Sequence, residues 1–273
     1  MKFAWFIYNQ KFRTDARLAD LLKELQDAGC DAYEVNGSSD ITPGTDALLS
    51  FGGDGTFLSA ARVALPMDIP VIGVHLGRLG FLSENKPEDV AGALLGGNYS
   101  IENREMLEVR AEGLDMPGFW PYALNEVTVM RSGASMLGID VAIDGIPLPT
   151  YWADGLLVAT SSGSTAYSLS VGGPICAPES KVLIVSPVSP HNLNVRPLIV
   201  PASTEVSISL CSREDKAIFT IDNRNYSISS GVKLEVKAAA RKLKRIRLDN
   251  SNFYKALRSR LLWGEDVRNS NER

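Results

Sequence analysis

The residues whose types and spacing suit chemistry begin at Gly52-Gly53-Asp54-Gly55-Thr56, which follows an apolar run and opens an amphipathic stretch. Adjacent glycines turn the chain tightly and leave bare N–H groups facing an anion, and a helix starting there adds the positive end of its dipole. The turn suits a phosphate group. It has neither P-loop nor dinucleotide-fingerprint spacing, and an ordinary strand-to-helix turn capped by Asp54 or Thr56 is the alternative. A second glycine-spaced segment, Gly73 to Leu82, follows the next apolar run. It falls at the same carboxyl edge, where open α/β sheets bind ligands. Within it Arg78 can pair a phosphate, although a lone loop arginine is more often solvated. His75 reads as a hydrogen-bonded loop histidine.

Two further groups lie downstream. Asn125-Glu126 stands at the start of a β run, and an adjacent amide and carboxylate suit the hydroxyls of a ribose. The stretch from Asp154-Gly155 through Ser161-Ser162-Gly163-Ser164-Thr165-Ala166-Tyr167-Ser168-Leu169-Ser170 follows a short apolar strand with a dense set of small donors. Such a loop fits a polar ligand held in a crevice. The interleaved Ala166, Tyr167 and Leu169 argue against a flexible linker.

The elements that must position these residues change character near residue 100. Before it, Lys2 to Tyr8, Asp46 to Phe51 and Val71 to Val74 read as buried strands, with helices at Asp15 to Ala28 and Phe57 to Ala64. Strand and helix in series predict a mainly parallel sheet. After it come short β-type runs at 107–111, 126–131, 138–143, 155–159, 181–185, 204–209, 217–221 and 232–236, with a hairpin turn at Asp144-Gly145. Phe253, Leu257, Leu261 and Leu262 then mark a C-terminal helix. The fold class is α/β followed by all-β. The expected division is an α/β domain over 1–100, rejoined by the helix 250–264, a β-rich domain over 101–249, and a disordered polar tail over 265–273.

Composition narrows the partners. The 273 residues carry a formal net charge of −4 with both signs scattered, so neither nucleic acid nor an anionic membrane finds a basic stripe. Three well-separated cysteines, Cys30, Cys176 and Cys211, fit a reduced cytoplasm better than a disulfide framework. No signal-like pattern and no apolar run of about 20 residues directs the chain to a membrane. Two histidines, His75 and His191, make a histidine-ligated metal centre unexpected, and no residue is assigned as a metal ligand.

Taken in order, G-G-D-G-T at 52–56, G-R-L-G-F-L at 77–82, the N-E pair at 125–126 and the D-G to S-G-S-T-A-Y block at 154–167 resemble the NAD kinase family. The segment Pro190 to Leu198 is similar to another stretch of that family. The resemblance implies an N-terminal α/β nucleotide-binding domain, a C-terminal β-sandwich that binds NAD, and a C-terminal helix returning to the first domain. It implies a homo-oligomer, dimer or tetramer, whose site borrows residues from a neighbouring subunit. It also implies transfer of the γ-phosphoryl group of ATP, with Mg²⁺, to the 2′-hydroxyl of the adenosine ribose of NAD. Gly52, Gly53, Gly55 and Thr56 would form the phosphate loop, Asp54 the catalytic carboxylate or a metal ligand, and Gly55 and Phe81 a wall of the NAD site. Asn125 and Glu126 would hold ribose hydroxyls. Thr165, Ala166, Tyr167 and Ser170 would contact the dinucleotide, with Asp154 at its nicotinamide end.

A lipid kinase sharing G-G-D-G-T and a non-catalytic NAD-sensing module are the rival readings. Four positions depart from the family's pattern: His75 for asparagine, Ser161 for proline, Trp152 for a basic residue, and Asp222-Asn223-Arg224 for D-G-Q. Arg224 is the candidate to replace the cation missing at Trp152.

Overall fold

The computed structural model describes residues 1–113, 118–211 and 216–263, so the tail expected over 265–273 lies outside it. The described residues form two compact units, 1–103 with 243–263, and 104–242.

In the first unit, β1 (Lys2–Ile7), β2 (Asp31–Glu34), β3 (Ala47–Phe51) and β4 (Val71–Val74) lie in a six-stranded sheet. β1 pairs in parallel with β2 and β3, and β3 with β4. Every residue of β3 and β4 is buried, as continuous apolar runs inside a parallel sheet should be. Helix α1 (Ala16–Asp27) follows β1, its first turn capped by Asp15, whose carboxylate accepts the Arg17 amide at 3.0 Å. Leu18, Leu21 and Leu25 face the core. Helix α2 begins at Asp54 and runs to Ala64, earlier than the Phe57 start suggested by apolar spacing. Asp54, Gly55 and Thr56 thus form its first turn, with Gly53 at the N-cap.

Sequence texture assigns residues up to 249 to the β-rich part. The strand Leu243–Leu248 instead pairs in parallel with β4, and its Ile246 and Leu248 join the core of Phe3, Leu49 and Ile72. Apolar alternation marks a buried strand face without saying which sheet it completes.

The second unit holds a six-stranded and a seven-stranded sheet whose pairings are antiparallel. Val127, Val158 and Phe219 of one sheet share a core with Val109, Ile139 and Ile208 of the other, giving the sandwich expected from the sequence. At Asp144-Gly145 both residues are left-handed, with φ 49° and 79°, as a two-residue hairpin turn requires.

Candidate functional site

The register Phe51↔Val74 sets the carboxyl ends of β3 and β4 side by side, and the Gly52 amide donates to Val74 O at 2.9 Å. The two glycine-spaced segments therefore leave the sheet together. Their glycines do different work. At Gly52, φ is 151° and a Cβ would meet Thr56 Oγ1 at 2.3 Å, so the fold itself demands glycine. At Gly53 and Gly55 a Cβ would meet nothing within 4 Å. Those two leave an uncovered strip of backbone at the start of α2, where a phosphate can approach N–H groups closely.

Asp54 is held from the other side. Its Oδ2 accepts the amide of Phe81 at 2.8 Å, and its Oδ1 accepts those of Leu82 and Ser83, each at 2.9 Å. A Cβ on Gly80 would come within 1.9 Å of Oδ1, so the second segment needs glycine to wrap the carboxylate. A carboxylate offers about four acceptor positions, and one remains, on Oδ2. Asp54 thus fastens the 80–83 turn and keeps one site for an incoming hydroxyl or cation. Phe81 is half-buried, 6.4 Å from the Phe253 ring, with the Arg260 guanidinium 4.5 Å above it. Arg78 is exposed. His75 differs from the hydrogen-bonded side chain expected: both its ring nitrogens are buried without a protein partner.

In the second unit the N-E pair is bound into a tight knot. The Asp222 carboxylate accepts the amides of Leu124 and Asn125, each at 2.9 Å, and of Glu126 at 3.2 Å, while the Asp222 amide donates to Glu126 O. Thr160 Oγ1 donates to Leu124 O at 2.6 Å, and its amide donates to Asn125 O at 2.9 Å. Gly163 lies so close that a Cβ would fall 2.2 Å from Asn125 O. Its glycine lets the Ser-Gly-Ser-Thr turn pack on the N-E turn. Asn125, Glu126, Thr165, Ala166 and Tyr167 are thereby gathered, with the Tyr167 backbone hydrogen-bonded to Glu126. Tyr167 and Ser170 are exposed; Thr165 and Ala166 are half-buried.

This knot has an unusual acid. Burial, with the charge of Asp222 adding to it, pushes the Glu126 carboxyl up to about 8, and its Oε2 is buried without a partner. At neutral pH Glu126 carries a proton and can donate it in a hydrogen bond. Burial raises Asp222 to about 6, against the lowering effect of its three amide donors and of Arg224.

Asp154 is not brought to this group. It precedes the strand Gly155–Thr160, at the end opposite Thr160, and six residues at about 3.3 Å each put it roughly 20 Å away. There its Oδ1 pairs with Arg131 Nε at 2.7 Å, near the half-exposed Trp152. Arg224 donates to Trp120 O and lies 6.0 Å from the Tyr226 ring centre. In the sequence Asp222 stands out only as part of a departure from the family's pattern; its role as an anchor for the N-E pair shows only in three dimensions.

A bare glycine strip opening a helix at the carboxyl edge of a parallel sheet, with an anchored aspartate beside it, defines a phosphate-handling α/β enzyme of the kinase class. The ATP-NAD kinase N-terminal domain matches residues 13–96, and the ATP-NAD kinase C-terminal domain matches residues 124–248. The chain belongs to the NAD kinase family, whose reaction is the ATP-dependent phosphorylation of NAD to NADP. It is 42% identical to an NAD kinase of Cytophaga hutchinsonii over 82% of this chain and 78% of that one. It is 36% identical to an NAD kinase of Flavobacterium johnsoniae over 98% of this chain and 93% of the relative. Among solved structures, yeast NADH kinase complexed with NADH superposes with a TM-score of 0.85 at 21% identity, covering 98% of this chain and 89% of that one. An NAD kinase from Archaeoglobus fulgidus in complex with ATP gives 0.75 at 23% identity, covering 95% and 98%. Among the described residues no helix is long and apolar enough to cross a membrane.

Proposed function

We propose that the protein transfers the γ-phosphoryl group of ATP to the 2′-hydroxyl of the adenosine ribose of NAD, with Asp54 as the acceptor of the hydroxyl proton. The observation that carries this reading is the uncovered strip at Gly53 and Gly55 beside a carboxylate with one acceptor position left. In phosphoryl transfer the transition state is usually loose, so orientation and charge neutralisation dominate over basicity. The backbone at 53–55 meets phosphate, and Asp54, immobilised by three amides, orients the hydroxyl and takes its proton late. On the dinucleotide, Asn125 and Glu126 engage ribose hydroxyls, Glu126 as donor. Thr165, Ala166, Tyr167 and Ser170 contact the rest, and Phe81 lines the NAD site.

Among the described residues no three His, Cys, Asp or Glu side chains converge as a metal cage. This donor set fits Mg²⁺ carried mainly by the phosphates of ATP and by water, with Asp54 Oδ2 the protein position that would hold it in place of the hydroxyl. Bound there, the ion supplies neutralisation of phosphate charge.

The assembly in this reading is a homo-oligomer, dimer or tetramer. Asp154, about a strand's length from Asn125 and Glu126, serves the nicotinamide end of a neighbouring copy's ligand. Exposed Trp152 at that end supplies apolar surface for such a contact. Three free cysteines support a reducing, cytoplasmic setting. The test is purified protein with ATP and Mg²⁺ and, separately, NAD, diacylglycerol or fructose 6-phosphate. NADP in the first mixture is the expected product, and product only in another mixture overturns the reading.

A further inference from the structure

The first unit contains a cavity of about 360 Å³ between the 75–89 segment and the C-terminal helix, Phe253–Leu261. Neither Gly52–Thr56 nor Phe81 lines it. Its most telling wall is Arg260. That side chain is 7% exposed, yet its Nε, Nη1 and Nη2 have no hydrogen-bond partner in the protein. Its nearest acid, Glu84, stands at 4.0 Å, beyond hydrogen-bond reach, and has its other oxygen committed to the buried Arg245.

A buried guanidinium with no hydrogen-bond partner is costly, because its donors have given up water without replacement. Burial pushes Arg260 down from its ordinary value, and Glu84 and Asp54 only partly oppose this. Three other polar atoms on the same wall are in the same state: both ring nitrogens of His75 and the hydroxyl of Ser251 are buried and unpartnered. Lys86 and Lys255 also line the cavity, and with Arg260 they outnumber the two acids, Glu84 and Asp89. These groups come from three separate stretches of chain and share one need, an oxygen-rich anion.

We propose that this cavity is a phosphoryl-binding site, anchored by Arg260, that takes inorganic phosphate or the phosphate tail of a larger molecule. Arginine's fork of donors matches two phosphate oxygens, lysines add charge, and the volume accommodates a small polyphosphate. The site is linked to Asp54 through Phe81, whose ring lies under the Arg260 guanidinium and whose amide donates to Asp54 Oδ2. A phosphate here draws on the cation that otherwise rests on Phe81.

The test is binding without turnover, so its result is independent of the NAD kinase assay. Inorganic phosphate and tripolyphosphate are titrated into the full chain by calorimetry and by ³¹P NMR. Wild type binds both; Arg260→Met weakens tripolyphosphate at least tenfold, Arg260→Lys restores part of the loss, and exposed Lys255→Ala weakens it several-fold with unchanged Tm. Competition between ATP and phosphate assigns the site to the donor's tail, and simultaneous binding assigns it to a free anion. No binding by wild type up to about 10 mM overturns the proposal, as do equal affinities in wild type and folded Lys255→Ala and Arg260→Met variants.

Discussion

Asp54 Oδ2 accepts the backbone amide of Phe81 at 2.8 Å across 27 residues of sequence, so the residue expected to do the chemistry also pins the turn that carries its aromatic neighbour. Substitution at Asp54 therefore has two effects. In Asp54→Asn, one oxygen is replaced by an NH₂ group that must face a backbone donor, from Phe81 or from Leu82 and Ser83. Loss of the proton acceptor lowers kcat by about 10²–10⁴-fold. The mismatched donors cost about 1–3 kcal/mol, read as a lower Tm of the apo protein. Full turnover would move the acceptor role to another residue, and an unchanged Tm would contradict the anchoring.

The two kinds of glycine in the phosphate loop separate stability from function. Gly55 lies inside the first turn of α2 with empty space beside it, so Gly55→Ala favours the helix by about 0.5–1 kcal/mol while placing a methyl where phosphate approaches. A higher Tm with a raised KM for ATP is the expected pair of results. Gly52→Ala meets Thr56 instead and loses stability outright. If Gly55→Ala leaves KM for ATP unchanged, the strip does not carry the nucleotide's phosphates.

Much of this arrangement was legible in the sequence, for identifiable reasons. β3 and β4 announce themselves as short unbroken apolar runs, and Gly52 to Thr56 sits directly after one of them. Ordered motifs located the N-E pair and the Ser-Gly-Ser-Thr turn. What stayed hidden depends on long-range contact. Asp222 reaches back 98 residues to Leu124, and strand Leu243–Leu248 completes a sheet begun at residue 2. Arg260 belongs to no motif; only the fold removes its water and leaves its donors without a hydrogen-bond acceptor. Residue types set local preference, while burial of a polar group is a property of the assembled chain.

Glu126 supplies a pH signature. Its folded value of about 8 stands above the ordinary 4.5, so between these limits the folded chain binds more protons than the unfolded one and stability falls as pH rises. Glu126→Gln mimics the protonated acid and removes that loss. The variant and wild type should melt alike near pH 4, and the variant should gain on wild type up to about pH 9. Asp222, raised to about 6, retains a weaker slope of the same sign in both proteins. NAD affinity near pH 7 should survive the substitution. A variant advantage that is the same at every pH would show that Glu126 is ionised in the folded protein.

Asp222 acts through the residues it holds. Asp222→Asn keeps the size of the side chain but sets an NH₂ against at least one of three backbone donors, loosening the turn that presents Asn125 and Glu126. KM for NAD should rise about tenfold or more while KM for ATP stays within twofold, because the lost interactions concern only the dinucleotide. Equal changes in both constants would place Asp222 in the general scaffold.

The position of Asp154 decides whether a site is built by one copy of the chain or by two. Asn125 and Glu126 lie at one end of the strand Gly155–Thr160 and Asp154 at the other, roughly 20 Å away. If Asp154 serves a neighbour, then Asp154→Ala and Glu126→Ala damage opposite partners of each shared site. A mixed oligomer then contains some sites with both residues intact. Each variant alone should be nearly inactive, and co-refolding or co-expression at equal amounts should restore about a quarter of the wild-type sites in a two-fold assembly. Simple mixing of preformed oligomers restores less, on the timescale of subunit exchange. Size-exclusion chromatography with light scattering gives the assembly state alongside. A fully active monomer, or no recovery in verified mixed oligomers, would return Asp154 to a structural role in its ion pair with Arg131.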